Sequence, residues 1–195
     1  MEKSLDNTGI RNITVSGRIA SGSSTLAASL SDTLGWKMLN GGELFRRFTK
    51  EQGLNLIDTQ KRPDQFDLDY EERIKKLLRE SVHNVIESHL SGFDAQGIDG
   101  VFKILVICDD ESEGDKTDIR IDRLVNRDQA TVHDAKHEIL ERERRNLEKW
   151  RRLYAKDDDS WIYWDKKYYD LVVNTYSHNP DESLKIVLEK MGFRE

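Results

Sequence analysis

Cysteine is nearly missing from this sequence. Cys108 is the only one among 195 residues, which excludes an internal disulfide and any zinc cage built from cysteines. A lone thiol suits a reducing compartment, and its expected role is to fill core. Long apolar runs are missing too: none approaches the roughly 20 residues that span a bilayer. The opening MEKSLDNTGIRN carries no hydrophobic stretch of the secretory kind, so the expectation is a cytoplasmic protein with no membrane partner. Net positive charge is lacking. At a formal charge of -6 the chain does not coat nucleic acid by bulk attraction, and nucleic acid is not expected as a partner unless the local basic stretch 142–152 provides one. No internal repeat, low-complexity tract or dividing linker interrupts the chain, so 1–195 reads as one domain, working as a monomer or homodimer.

What is present is a periodic set of apolar segments on a heavily charged background, 36% hydrophobic against 35% charged, which is enough to fold. Residues 12–16 alternate β-formers, and Leu26, Ala27, Leu30 and Leu34 then recur at helical spacing before Gly35, a natural C-cap. A short strand is expected at 36–39, and a helix from about Glu43 carrying Leu44, Phe45 and Phe48 and ending at Gly53. The polar stretch 54–69 reads as a loop or short helical excursion. Tyr70, Ile74, Leu77 and Leu78 resume a helix; Val82 to Leu90 either continues it or, the favoured reading, supplies a strand at 84–88, and a glycine-bearing loop runs from Gly92 to Gly100. Val101 to Cys108 is nearly continuous in apolar residues, as a buried parallel strand is. Helices near 117–127 and 131–154 follow, the latter with Val132, Ala135, Ile139, Trp150 and Tyr154 inside, then a strand at 169–173 and a closing helix at 181–191. Strands alternating with helices predict an α/β fold, a three-layer α/β/α sandwich around a parallel sheet of about five strands, with ligands at the strands' carboxyl ends.

Between the first strand and first helix, Gly17-Arg18-Ile19-Ala20-Ser21-Gly22-Ser23-Ser24 fits the phosphate-loop pattern GxxxxGK[ST] at both glycines and at the final hydroxyl. Main-chain N–H groups and the positive end of a helix would cradle an anion there, with Ala20 and Thr25 in the same cradle and the Ser24 hydroxyl reaching Mg²⁺. The plainer reading is a glycine- and serine-rich turn that only joins a strand to a helix. Ser23 stands where the pattern has the lysine that neutralises β- and γ-phosphates. Arg18, whose planar fork suits phosphate oxygens, is the nearest substitute cation.

Ile13-Thr14-Val15-Ser16-Gly17 with Ser21-Gly22, Leu34-Gly35-Trp36, Gly42-Glu43-Leu44-Phe45-Arg46, Leu68-Asp69 and Ile86-Glu87-Ser88-His89-Leu90-Ser91-Gly92 form an ordered series. It continues through Arg120, Arg123, Arg127-Asp128, Glu141-Arg142-Glu143 and Tyr169-Asp170-Leu171-Val172-Val173-Asn174-Thr175. In that series the chain resembles the cytidylate kinase branch of the P-loop nucleoside monophosphate kinases, especially its short archaeal-type members. The resemblance implies ATP on the phosphate loop, a nucleoside monophosphate held by a segment at about 40–75, and an arginine-rich lid at about 120–152. It implies that Gly42 and Arg46 touch the monophosphate, with Asp69 and Arg73 orienting its base and sugar. His89 stands where relatives commonly have arginine, and a histidine holds phosphate only as a cation or a neutral donor.

Arg120, Arg123 and Arg127 share one helical face, and Arg142 and Arg145 open a second basic segment. Arg18, Arg120, Arg123 and Arg142 are thus the candidate catalytic arginines, because phosphoryl transfer is mainly positioning plus charge stabilisation. The acids interleaved with them, from Asp118 to Glu148, allow the alternative that they form surface ion pairs. His133 and His137, at i and i+4, echo a zinc helix but lack the required Glu and a third ligand, and Asp157-Asp158-Asp159 reads as a loop cap. The aromatic cluster Trp161, Tyr163, Trp164, Tyr168 and Tyr169 could stack on a base, and packing of the last helix against the sheet explains it as well. Two functions remain: ATP-dependent phosphoryl transfer to a pyrimidine nucleotide such as CMP or dCMP, and a catalytically degenerate nucleotide-binding regulator on the same fold.

Overall fold

Alternation sends Ile13 and Val15 to one face of β1 (Asn12–Gly17), yet all six of its residues are buried. Both faces are therefore covered, as a central parallel strand requires. The computed structural model describes residues 8–51, 53, 63–112 and 114–193. Four further strands complete the sheet: β2 (Lys37–Asn40), β3 (Asn84–Glu87), β4 (Val101–Ile107) and β5 (Leu171–Asn174), all parallel, in spatial order β2-β3-β1-β4-β5. Val15 lies opposite Glu87 on one side and Ile104 on the other. The five-stranded parallel sheet expected from the sequence is present.

One face is covered by α1 (Ser23–Leu34) and α8 (Pro180–Lys190), whose Leu26, Ala27, Leu30 and Val187 join Ile13, Val15, Val85 and Ile104 in the main core. Each fully buried Leu or Val there contributes about 1.5–3 kcal/mol. Gly35 closes α1 in the left-handed region at φ +66°, as its position in the sequence predicts. An Asn179–Glu182 capping box with Pro180 at the first turn starts α8. The other face is covered by α3 (Asp64–Glu80) and α4 (Ser91–Asp94), with Ile74, Leu78 and Ala95 against Ile86 and Val101. There β1 turns polar residues inward: Asn12 Nδ2 donates to Leu78 O and Ser81 O at 3.1 and 2.7 Å, Ser16 Oγ accepts from Gly92 N–H at 2.9 Å, and the buried Thr14 Oγ1 has no hydrogen-bond partner.

Four expectations are corrected. Residues 54–62 lie outside the described residues, but 64–69, read as loop, are the first turns of α3. Their inward face includes buried Asp67, and Glu71 follows, so the apolar period was broken by acids that the fold buries. The loop expected from Gly92 starts instead as α4. The single helix expected over 131–154 is α6 (Val132–Lys136), a π-helical stretch (His137–Arg142) and α7 (Glu143–Tyr154), and Val132 is 53% exposed while Ala135, Ile139 and Trp150 are buried. These elements and α5 (Thr117–Asp128) form a lobe over the carboxyl ends of the strands, packed through Ile19, Ile121, Leu124, Ala135 and Ile139. Trp161 and Tyr163 pack with Leu90 and Trp150, hence against α4 and α7 rather than the last helix. His133 is 89% exposed beside Asp134, and no cluster of three or more His, Cys, Asp or Glu side chains suited to a metal occurs among the described residues. Cys108 is buried, its thiol pushed up by burial, which fits core filling. No helix among the described residues is long and apolar enough to cross a membrane.

Candidate active site

The chain leaving β1 turns to α1 on one face of the sheet, whereas the chain leaving the adjacent β3 turns to α4 on the other. Divergence of neighbouring loops opens a crevice at the carboxyl ends, the usual ligand position in such sheets. Two hydrogen bonds span it. Ser23 Oγ donates to Glu87 Oε1 at 2.9 Å, and His89 Nδ1 lies 2.8 Å from Gly17 O, which makes Nδ1 the protonated nitrogen.

The loop itself is shaped by close approach. A Cβ on Gly17 would come within 2.3 Å of Ser21 Oγ and 2.9 Å of Val106 O, so only glycine fits. Gly22 sits at φ +102° and Ala20 at φ +60°, left-handed backbone that lets the chain reverse into α1. Ser21 N–H is spent on Arg18 O at 3.1 Å. The first amides of α1, at Ser23, Ser24 and Thr25, have no partner within the helix, and Gly22 provides no side-chain cap, so they are free to meet an anion. A cleft of about 450 Å³ opens there, lined by Ala20, Ser24 and Thr25, by Arg123 and Arg127 of α5, and by His178 and Asn179 beyond β5. That is room for a nucleotide-sized ligand.

The structure separates the four candidate arginines. Arg123 reaches the cleft and pins the loop to the end of β5, donating to Ser21 O, Thr175 Oγ1 and Thr175 O at 3.2, 2.8 and 2.8 Å. Arg120 does not reach it: 0% exposed, it donates to Ile19 O at 2.8 Å and pairs with Glu143 at 3.1 Å and Asp115 at 3.0 Å. Arg18 joins the same network, with Nε 2.8 Å from Glu143 Oε1, Nη1 3.2 Å from Asp115 Oδ1, and its guanidinium 4.7 Å from the centre of the Trp164 ring. Burial alone would lower its pKa, but Glu143 and Asp115 outweigh burial and raise it. As placed, then, Arg18 does not occupy the missing lysine's position; two arginines and two carboxylates tie the loop to α5 and α7. Arg142 pairs with Glu138 one turn away.

On the β3 side, Gly41 opens α2 (Gly41–Glu51) where no side chain fits, since a Cβ would meet Ser88, the Tyr70 hydroxyl and Glu87 O within 2.7–2.8 Å. Gly42 follows, and Arg46, one turn on, is exposed with Nη1 near Gly42. Asp69 and Arg73 lie on the outward face of α3, Asp69 held by Gln65 at 2.7 Å, while Asp67, Tyr70 and Glu71 turn inward. His89 is packed against Trp150 and Tyr163, and burial, helped by nearby Arg142, lowers its pKa against the opposing pull of the Gly17 carbonyl. It is a neutral clasp on the loop, not a phosphate-binding cation.

Residues 12–177 match the Cytidylate kinase-like family. The chain belongs to that family. It is 32% identical over 179 residues to a cytidylate kinase of Haloarcula marismortui, covering 90% of this chain and 86% of that one. A cytidylate kinase of Sulfurisphaera tokodaii is 29% identical over 184 residues, covering 93% and 95%. Among solved structures, shikimate kinase from Bacteroides thetaiotaomicron superposes with a TM-score of 0.61 at 10% identity, covering 94% of this chain and 99% of that one, a likeness of fold.

For a cytidylate kinase-like chain, the site also contains residues that sequence reasoning gave no role. Glu87 ends β3 and holds Ser23, Thr175 locks Ser21, Arg127 lines the cleft, and Glu143 joins Arg18 to Arg120. Signals existed for Arg127, which shares a helical face with Arg123, and for Glu87: a carboxylate closing an apolar strand beside a phosphate loop lies at the end where ligands bind.

Proposed function

We propose that the chain transfers the γ-phosphoryl group of ATP to a pyrimidine nucleoside monophosphate, CMP or dCMP. The observation that carries this reading is the cleft at the start of α1, with free helix amides and two arginines on its walls, in a chain of the cytidylate kinase-like family. The polyphosphate lies on residues 17–25, from Gly17 through Gly22 to Thr25, with Arg123 and Arg127 beside it. Arg142, on the π-helical stretch of the lid lobe, closes with them. Gly42 and Arg46 hold the acceptor phosphate across the crevice. Asp69 and Arg73, on the outer face of α3, are left out of that role.

An acceptor phosphate oxygen attacks the γ-phosphorus and ADP leaves. No protein base is needed, because the acceptor is already an anion. Fixed amides and guanidinium groups stabilise charge spread over the transferring group, and lid closure excludes water. Ser24, half-buried on the cleft wall, offers the hard oxygen that Mg²⁺ prefers; with no cluster of acidic ligands among the described residues, the ion is held jointly with ATP. When bound, Mg²⁺ neutralises phosphate charge. Nucleotide supply and one reduced, buried thiol fit a cytoplasmic setting.

The test is a coupled assay with MgATP and a panel of CMP, dCMP, UMP and AMP. Turnover with CMP or dCMP is expected. ATP binding without transfer to any monophosphate would leave the degenerate regulator instead.

A further inference from the structure

Ser23 does more than lack the lysine's charge. Its side chain, in a residue 7% exposed, is turned onto Glu87, so a carboxylate borders the volume that an ammonium group would fill. Relative to a lysine-bearing loop, this one lacks one positive charge toward a nucleotide polyphosphate, and the Glu87 carboxylate faces the place where that ammonium would stand. No lysine or arginine among the described residues pairs with Glu87. Arg123 is spent on Ser21 O and on Thr175 instead. Arg18 and Arg120 are committed to Glu143 and Asp115, and Arg142 to Glu138.

The oxygen atoms, by contrast, are in place. The Ser23 hydroxyl gives its proton to Glu87, which leaves its lone pairs unused. Ser21 Oγ is fully buried with no hydrogen-bond partner, and it sits inside the turn: the point 2.3 Å from it, where a Gly17 Cβ would lie, is 3.2 Å from Ser23 Cβ. An orphaned buried hydroxyl in the same turn as a serine held by a carboxylate, whose nearest cationic influence is the more distant Arg127, is a combination that a cation satisfies and an anion alone aggravates.

We propose that a second divalent cation binds here together with nucleotide, held by Glu87, the Ser23 hydroxyl and phosphate oxygens, in place of the lysine ammonium. The inference rests on the proposed nucleotide site. Its charge more than replaces the missing ammonium, and one carboxylate with substrate phosphates is an ordinary way to hold Mg²⁺. With so few protein ligands, the site forms only in the nucleotide complex.

Mn²⁺ bound per chain, counted by electron paramagnetic resonance with a non-hydrolysable ATP analogue, tests it. Two Mn²⁺ are expected in the unaltered protein with analogue, and one in Glu87→Gln and in Ser23→Lys. At saturating MgATP and CMP the unaltered rate should keep rising with free Mg²⁺, by about tenfold or more, and Ser23→Lys should lose that dependence. A single Mn²⁺ in the unaltered complex, or two retained in Glu87→Gln, overturns the second site even if turnover is normal. Failure to bind the analogue at all removes both this site and the activity beneath it.

Discussion

The two sides of the nucleotide crevice are held by different forces. Under α1 and α8 the contacts are apolar, with Ile13, Val15, Leu30, Val106 and Val187 all at or near complete burial. Where α5 and α7 meet the loop, buried charge does the holding: Arg18, Arg120, Asp115 and Glu143 form one network, and Lys149 of α7 meets Asp67 of α3 at 2.5 Å. Apolar burial is non-directional and tolerates little movement without loss, whereas an ion pair either keeps its partner or leaves a costly orphan. The rigid side carries the loop. The charged side belongs to the elements expected to open and close.

Substitutions can break that contrast. Glu143→Ala has the largest expected effect: it leaves the Arg18 and Arg120 guanidinium groups to share Asp115 alone and should cost about 3–5 kcal/mol in urea unfolding, with Glu143→Gln recovering only part. Leu30→Ala, on the apolar side, should cost about 2–5 kcal/mol from lost burial and the cavity left behind. Its cost should be the same at low and high salt; a strong salt dependence would erase the distinction.

The buried acids beneath α3 sharpen the comparison through pH. Burial raises the pKa of Glu71 well above the carboxylate range, with Asp94 adding to it, and burial likewise raises that of Asp94. The folded chain keeps protons there at a pH where the unfolded chain has released them, so their contribution is present below the ordinary carboxylate pKa and fades as pH rises through the raised values. Glu71→Gln should therefore raise the melting temperature by a few degrees near neutral pH and flatten its fall toward alkaline pH. An unchanged pH profile would count against a shared proton. Smallest of all, Arg152→Ala removes a half-exposed pair with Asp64 and should change stability by less than about 1 kcal/mol.

Much of this architecture was legible because its signals are local. Strand β1, its glycine turn, α1 with Gly35, the apolar run of β4 and the final helix each follow from periodicity and caps. What escaped the reading was polarity turned inward. Asp67 and Glu71 hid the start of α3, and Arg120, an expected lid arginine, proved one of the most buried side chains in the protein. Hydropathy scores them as surface, and their partners Lys149, Asp94 and Glu143 are remote in sequence, so no local pattern reveals the pairing. At the site, spacing placed Arg123 and Arg127 on one face correctly, but no local rule could say that Arg18 would turn away from the cleft toward Glu143.

Three of the four tryptophans, Trp150, Trp161 and Trp164, gather where α7 meets the loop, and Trp164 lies under the Arg18 guanidinium, while Trp36 stacks on His83 at the far end of the sheet. Indole emission is sensitive to a neighbouring cation and to solvent, so the native protein carries its own optical gauge of that junction. Nucleotide titrations can be followed by eye of a fluorimeter without any dye, the Trp36 signal serving as an internal constant.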